Sequence, residues 1–235
     1  MITVIPSDLR YTADHGWLTA RWHFSFSDYV DRRNMNWGAL RVFNDDVVQG
    51  GGGFDLHPHR DMEIVTVVLE GALEHQDNLG NRGVIRPGEV QVMSAGKGIL
   101  HAEHNHSKTE PLHLLQLWIL PRNKGNTPRW EQQTFDQAAR RGRLLPVVSS
   151  GDVPGTLVID QNATIYVSSL AEGQEVTHAT EQTRKPYLFV IDGAVTVNGR
   201  AVNEGDQARI DHERKLEIVA TADSELILLD LPDVA

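Results

Sequence analysis

Apolar and polar positions alternate with a period of two along most of this chain. The pattern is clear in Glu63-Ile-Val-Thr-Val-Val-Leu69, Leu112-His-Leu-Leu-Gln-Leu-Trp-Ile-Leu120, Thr164-Ile-Tyr-Val-Ser-Ser-Leu170, Tyr187-Leu-Phe-Val-Ile191, Ala194-Val-Thr-Val-Asn198 and Glu225-Leu-Ile-Leu-Leu-Asp230. These runs are short and rich in β-branched residues, and Glu-Gly, Pro-Gly-Glu, Asp-Gly, Asn-Gly and Glu-Gly-Asp turns separate them, so they predict β-strands. A helix is predicted only over Trp130 to Arg141, where Glu131, Gln132, Gln133 and the pair Ala138-Ala139 favour a short one.

The two halves repeat one unit. Val67-Val-Leu-Glu-Gly-Ala-Leu73 aligns with Phe189-Val-Ile-Asp-Gly-Ala-Val195, Pro87-Gly-Glu89 with Asn203-Glu-Gly-Asp206, and Leu115-Gln-Leu-Trp-Ile-Leu-Pro121 with Leu226-Ile-Leu-Leu-Asp-Leu-Pro232. Strands and turns at these intervals predict sandwiches or closed barrels. The expected architecture is all-β, with two stacked barrels joined by a short helical linker. The expected divisions are 1–125 for the first barrel, 126–150 for the linker and 151–235 for the second, because the polar stretch Asn123-Lys-Gly-Asn-Thr-Pro128 breaks the strand pattern.

Composition then narrows the chemistry. With 235 residues, 40% hydrophobic and 23% charged, the chain can bury a core. The formal net charge of -10 repels phosphate backbones and anionic lipid faces, so neither nucleic acid nor membrane is an expected partner. The start, MITVIPSDLRYTADHGW, lacks a charged segment followed by an apolar run, and no stretch approaches the roughly 18 apolar residues of a membrane span; a cytoplasmic protein is expected. There is no cysteine, which excludes disulfides, thiolate nucleophiles and Cys-ligated metals. Any metal must sit on nitrogen and oxygen. Histidine is abundant, at 11, and seven of these fall between His57 and His113.

On a strand, residues i and i+2 share a face about 6.6 Å apart, twice the rise per residue. His57 and His59 in Asp55-Leu-His57-Pro-His59-Arg60 can therefore converge on one ion, and His101 and Glu103 in Gly98-Ile-Leu-His101-Ala-Glu103-His-Asn105 share a face by the same parity. Three imidazoles and one carboxylate suit a divalent first-row ion with positions left open for substrate or oxygen. Imidazoles of ordinary pKa, about 6.5, would lose the ion to protons below about pH 6.

The spacing Gly51, five residues, His57-x-His59, three residues, Glu63, then Gly98-x-x-His101-x-x-x-Asn105 resembles the two cupin motifs. His57-Pro-His59-Arg60, Leu69-Glu-Gly71, Glu74-His75-Gln-Asp77, Ala95-Gly-x-Gly-Ile-Leu-His101-Ala-Glu103, Leu115-Gln-Leu-Trp118 and Trp22-His-Phe-Ser-Phe26 resemble, more closely, the pirin family of bicupins. The match is strong over residues 15–125 and weaker beyond. The resemblance implies two cupin-type barrels and, in the first, an ion held by His57, His59, His101 and Glu103. Fe(II) is the metal implied, with Zn, Mn, Ni, Co or Cu able to replace it in purified material. Bacterial members are linked to flavonol ring-opening dioxygenation. The implied reaction opens a quercetin-type ring with O2 and releases CO, the substrate's 3-hydroxyl proton passing to Glu103. The alternative is an iron-binding, redox-sensing protein that modulates a protein partner, as proposed for eukaryotic relatives.

Most cupins take the carboxylate from the first motif, but the usual spacing back from Gly71 falls on Ile64. Glu63 is one residue out of register, and a one-residue slip turns a strand side chain to the other face. Glu103 is thus preferred over Glu63. In the second half only His178 and His212 stand near the equivalent places, so that barrel is expected to hold no metal. His75 reads as a hydrogen-bonder in a hairpin, and His104, His106 and His113 as loop or strand histidines. Trp22, Phe24 and Phe26 alternate, as core or as walls of an aromatic pocket. Gly96 and Gly98 are expected to supply unusual backbone angles before His101.

Overall fold

The structure, a computed structural model, describes residues 1–234 and is built almost wholly of strands. Each half contains one seven-stranded and one four-stranded sheet, hydrogen-bonded separately. The halves are therefore cupin-type β-sandwiches rather than closed rings. In the first half the large sheet runs in the order Arg129–Thr134, Glu89–Ser94, Glu63–Glu70, Leu112–Ile119, Leu40–Val48, Leu18–Trp22, Tyr11–Asp14; the small sheet runs Gly53–His59, Ile99–Asn105, Leu73–Asp77, Arg82–Ile85. The second half repeats the plan, and the segments that align in sequence take the same sheet positions. Tyr187–Asp192 lies between Gln207–Ile210 and Ser224–Asp230, as Glu63–Glu70 lies between Glu89–Ser94 and Leu112–Ile119.

The helix expected over Trp130 to Arg141 is absent. Arg129–Thr134 is a strand paired antiparallel with Glu89–Ser94, and only Gln137–Arg140 turns, as a single 3-10 turn capped by the Asp136 carboxylate on the Ala138 amide. Good helix formers lose here because a sheet edge offers a complete set of backbone partners. The equivalent edge of the second half is covered by the N-terminus, where Ile2–Ile5 pairs with Gln207–Ile210.

The two seven-stranded sheets pack face to face. Phe24, Leu40, Phe43, Val65, Val67, Leu115 and Leu117 from the first meet Val147, Ile165, Tyr187, Phe189, Ile227 and Leu229 from the second in one buried cluster. Both faces of the large sheet are thus covered, which is why Glu63-Ile-Val-Thr-Val-Val-Leu69 reads as a nearly continuous apolar run. Phe43 sits at the centre of that cluster, its ring 5.3 Å from Tyr187 and 5.1 Å from Phe189.

The interiors of the halves differ. That of the second is apolar, built from Leu188, Val190, Ile210, Leu216, Ile218, Leu226 and Leu228 among others. That of the first has apolar ends, Leu18, Trp22, Val68 and Leu112 at one and Ile64, Met93 and Ile99 at the other. Between them a polar row crosses four adjacent strands: Gln91 stands opposite Thr66, Thr66 opposite Gln116, and Gln116 opposite Asn44. This row forms one floor of the site.

Because Phe43 joins the halves, Phe43→Ala should lower unfolding stability by about 3–5 kcal/mol, the usual cost of emptying a buried aromatic site. Urea denaturation measures it. A loss under about 1 kcal/mol would mean that the face-to-face core does not hold the halves together.

Candidate metal centre

Strands Gly53–His59 and Ile99–Asn105 are antiparallel neighbours with His57 opposite His101. Strand alternation turns His57, His59, His101 and Glu103 toward the polar row of the large sheet. The imidazole rings of His57, His59 and His101 lie 4.4–4.8 Å apart, centre to centre, and their nitrogens form one cluster of potential ligands. Glu103 joins His101 and His75 in a second, overlapping cluster. His101 Nδ1 is 3.5 Å from His75 Nδ1, whereas its Nε2 is buried and no group among the described residues hydrogen-bonds it. His57 Nδ1 bonds the Asp55 carbonyl at 2.7 Å, which orients the ring and leaves Nε2 free to coordinate. A buried nitrogen without a partner beside two more imidazoles and a carboxylate is the donor set a divalent transition metal requires.

The backbone before His101 follows from two glycines. Gly96 and Gly98 have φ of 46° and 135°, and a Cβ on Gly96 would stand 2.0 Å from the Asn126 carbonyl oxygen. Between His101 and Glu103 the register with Gly53–His59 shifts, so Glu103 faces Phe54 while His101 faces His57.

Glu103 is 3% exposed, and its carboxylate is held on both sides. The Gln91 amide donates to Oε1 at 2.9 Å and the Gln116 amide to Oε2 at 2.7 Å. Each glutamine is in turn fixed by an indole: Trp130 donates to Gln91 Oε1 at 2.7 Å and Trp118 to Gln116 Oε1 at 3.1 Å. Burial would raise this carboxyl, but the nearby imidazoles of His75 and His101 and the Gln91 amide outweigh it and hold it at about 2.

Three of the four candidates, His57, His59 and Glu103, line a cavity of about 350 Å3, and Trp17, Trp22, Phe26, Phe54 and Trp118 give it an aromatic wall. Trp118 meets His59 edge-on at 4.8 Å. Phe24 is elsewhere. The strand ends at Trp22, so the alternation that would carry Phe24 beside Trp22 is lost, and Phe24 enters the core between the halves under the Arg209 guanidinium.

Glu63 does not join either cluster. It lies on the opposite face of its strand from Ile64, lining the side where Val158 and Asp160 approach, and its carboxylate accepts the Ser94 hydroxyl at 2.5 Å. Burial pushes it up to about 7. His104 and His106 pair with Asp55 and Glu74 near the surface, and His113 with Asp45. In the second half His178 bonds Asp230 at 2.9 Å. His75 bonds Asp77 in its hairpin at 3.4 Å, as expected, but sequence reasoning missed that it is fully buried, opposite Glu103 in register and stacked on Trp130. It also passed over Gln91 and Gln116. The available signal was a polar residue at an inward position of an otherwise apolar run, as in Val90-Gln-Val-Met93 and Leu115-Gln-Leu-Trp118.

Known proteins share both fold and sequence with this chain. The Pirin family model matches residues 6–119, and that of the quercetinase C-terminal cupin domain matches residues 146–231. A quercetin 2,3-dioxygenase of Escherichia coli (strain K12) is 45% identical over 235 residues, all of both chains. The chain belongs to the pirin family. A pirin-like protein of Caulobacter vibrioides is 45% identical over 98% of this chain and 99% of its own. The crystal structure of the bacterial pirin YhhW from Escherichia coli in complex with nickel(II) matches with a TM-score of 0.94 at 44% identity, covering 100% of both chains.

In this pirin-family centre the histidines do not keep ordinary acidity. Burial, then the charges of His101 and His57, lower His59 to about 3; burial, partly offset by Glu103, lowers His101 to about 4. Without metal, these two rings thus take up protons well below the ordinary imidazole range. In the unfolded chain both would titrate near 6.5, so their neutral burial contributes stability that is complete above about pH 6.5 and is lost as pH falls toward about 4. Imidazole NMR of metal-free protein should give titration midpoints below pH 5 for His59 and His101. Midpoints near 6.5 would show that the rings are not buried as described.

Proposed function

We propose that His57, His59, His101 and Glu103 hold one divalent transition metal, with Fe(II) as the working ion, and that the centre opens a flavonol ring with O2 and releases CO. The observation that carries this reading is the buried, unpartnered His101 Nε2, clustered with His57, His59 and Glu103, the last three of which line a cavity with an aromatic wall. The nickel(II) complex of YhhW from Escherichia coli and the name quercetin 2,3-dioxygenase carried by an Escherichia coli relative support it. A cavity of about 350 Å3 lies within the usual range for small-molecule sites, about 300–1,000 Å3.

When bound, the metal would orient substrate and stabilise negative charge on the substrate's oxygen. The chain supplies the rest. Trp22, Phe26 and Trp118 offer ring faces and edges to a planar aromatic substrate and exclude water from it. Glu103, ionised and held by two amides, presents an oxygen lone pair to the substrate's 3-hydroxyl proton. The proton so accepted is returned to the ring-opened product. Gln91 and Gln116 keep the acceptor in place while this happens.

His57→Ala, His59→Ala and His101→Ala should each lose stoichiometric metal, read by elemental analysis of purified protein, whereas Glu63→Gln should keep it. Equal metal in His101→Ala would remove that residue from the ligand set. Wild-type protein reconstituted with Fe(II) should consume quercetin and oxygen one for one, with CO as product. Glu103→Asp should keep most of its metal but turn over about 100-fold more slowly, since a shift near 1 Å of a reacting group costs about that much. Phe26→Ala should raise KM, and Phe24→Ala, outside the cavity, should not. If the metal-replete wild type consumes neither reactant, the partner-modulating reading takes the place of the dioxygenase.

A further inference from the structure

Strand Leu40–Val48 sends Asn44 and Asp46 into the same cavity, on one face and two residues apart. Asn44 is 3% and Asp46 4% exposed, and among the described residues no donor reaches the Oδ1 atom of either. The contrast with the adjoining wall is sharp. Gln91, Gln116 and Glu103 all have partners within 3.3 Å, and Thr66 accepts from Gln91. Buried acceptors without donors are destabilising, and an apolar residue of similar shape would hold the strand at less cost. Two such atoms side by side at the wall of an otherwise aromatic cavity are complementary to donors carried by an aromatic ligand.

We infer that Asn44 and Asp46 form a hydroxyl-recognition subsite that selects polyhydroxylated aromatics over bare ones. The inference rests on the flavonol reading above and extends it to the substrate's other hydroxyls. Asn44 stands opposite Gln116 and Trp22, and Asp46 opposite Leu114 and Ala20, so the subsite lies on the large sheet, whereas the histidines stand on the small one. It therefore reads ring substituents, while the metal centre reads the 3-hydroxyl. Burial, with the Asp45 and Glu103 carboxylates nearby, holds the Asp46 carboxyl well above its ordinary range. Its carboxyl and the Asn44 amide together offer hydrogen-bonding groups to adjacent phenolic hydroxyls.

The experiment is equilibrium binding to the metal-loaded protein without oxygen, comparing quercetin with 3-hydroxyflavone, which keeps the 3-hydroxyl and lacks the ring hydroxyls. Wild type should prefer quercetin by about tenfold or more. Asn44→Leu and Asp46→Leu should each cut that preference to under about threefold by weakening quercetin alone. They should do so with unchanged metal content and an equal or higher Tm, since each removes an unpartnered acceptor. Asp46→Asn, which still presents a donor and an acceptor, should keep most of the preference. Should the leucine variants not fold, Asn44→Ala and Asp46→Ala give the same readout without added volume. If wild type binds the two flavonols alike, or the variants weaken both equally, the subsite is overturned while the flavonol reading stands. If wild type binds neither, both fall together.

Discussion

A carboxylate taken out of water organises the interior of the first half. Placing Glu103 at 3% exposure costs several kcal/mol unless its oxygens are met by donors, and charged hydrogen bonds return about 1.5–3 kcal/mol each. The donors are two glutamine amides, and an amide can face either way unless something fixes its carbonyl end. Trp118 and Trp130 do that, each through an indole N–H on a glutamine oxygen. The chain of dependence runs from the outermost strand, which carries Trp130, through Gln91 to Glu103 and back through Gln116 to Trp118. The cavity wall, the carboxylate and the sheet edge are thus parts of one hydrogen-bonded arrangement.

The repeated unit explains why only one half is built this way. Both halves use the same strand order, and both large sheets bury their outer face against each other, which commits that face to apolar residues. The inner face is free to differ. In the second half it is filled by leucine, isoleucine and valine, whereas in the first it carries Gln91, Thr66, Gln116 and Asn44 in one row. Glu103 from the facing sheet and the indoles at either side complete the two glutamines of this row, while Asn44 Oδ1 at its end has no donor among the described residues. Stability of the pair of halves is therefore carried largely by the apolar contact between them, around Phe43, Tyr187 and Phe189, which leaves the interior of the first half available for chemistry.

Much of this was legible in the residues. The period of two located the strands, and the alignment of Val67–Leu73 with Phe189–Val195 anticipated the repeat because equivalent sheet positions demand the same pattern. Parity brought His57 and His59 to one face and set Glu63 apart from Ile64, since side chains on a strand alternate without exception unless a bulge intervenes. Local pattern ran out at three places. Glu131, Gln132 and Gln133 favour a helix locally, but an open sheet edge supplied partners that a local preference cannot outweigh. Phe24 took the core position open to it and left the face of Trp22, because its strand had already ended. His75 bonds Asp77 in its hairpin, as expected, but only Trp130 of the facing sheet stacks on it and buries it.

What the sequence by itself determined was periodic and local: strand identity, the twofold repeat, the exclusion of sulfur ligands, and which side chains of one strand share a face. These follow from backbone geometry and composition, which act over a few residues. The tertiary structure alone decided which faces meet. It placed Ile2–Ile5 on the edge of the far half, drew Trp130 to Gln91, and closed the polar row over Glu103 and His101. Such choices depend on contacts between residues tens to hundreds of positions apart, where hydrogen-bond satisfaction and packing across sheets outweigh the preferences written into any single segment.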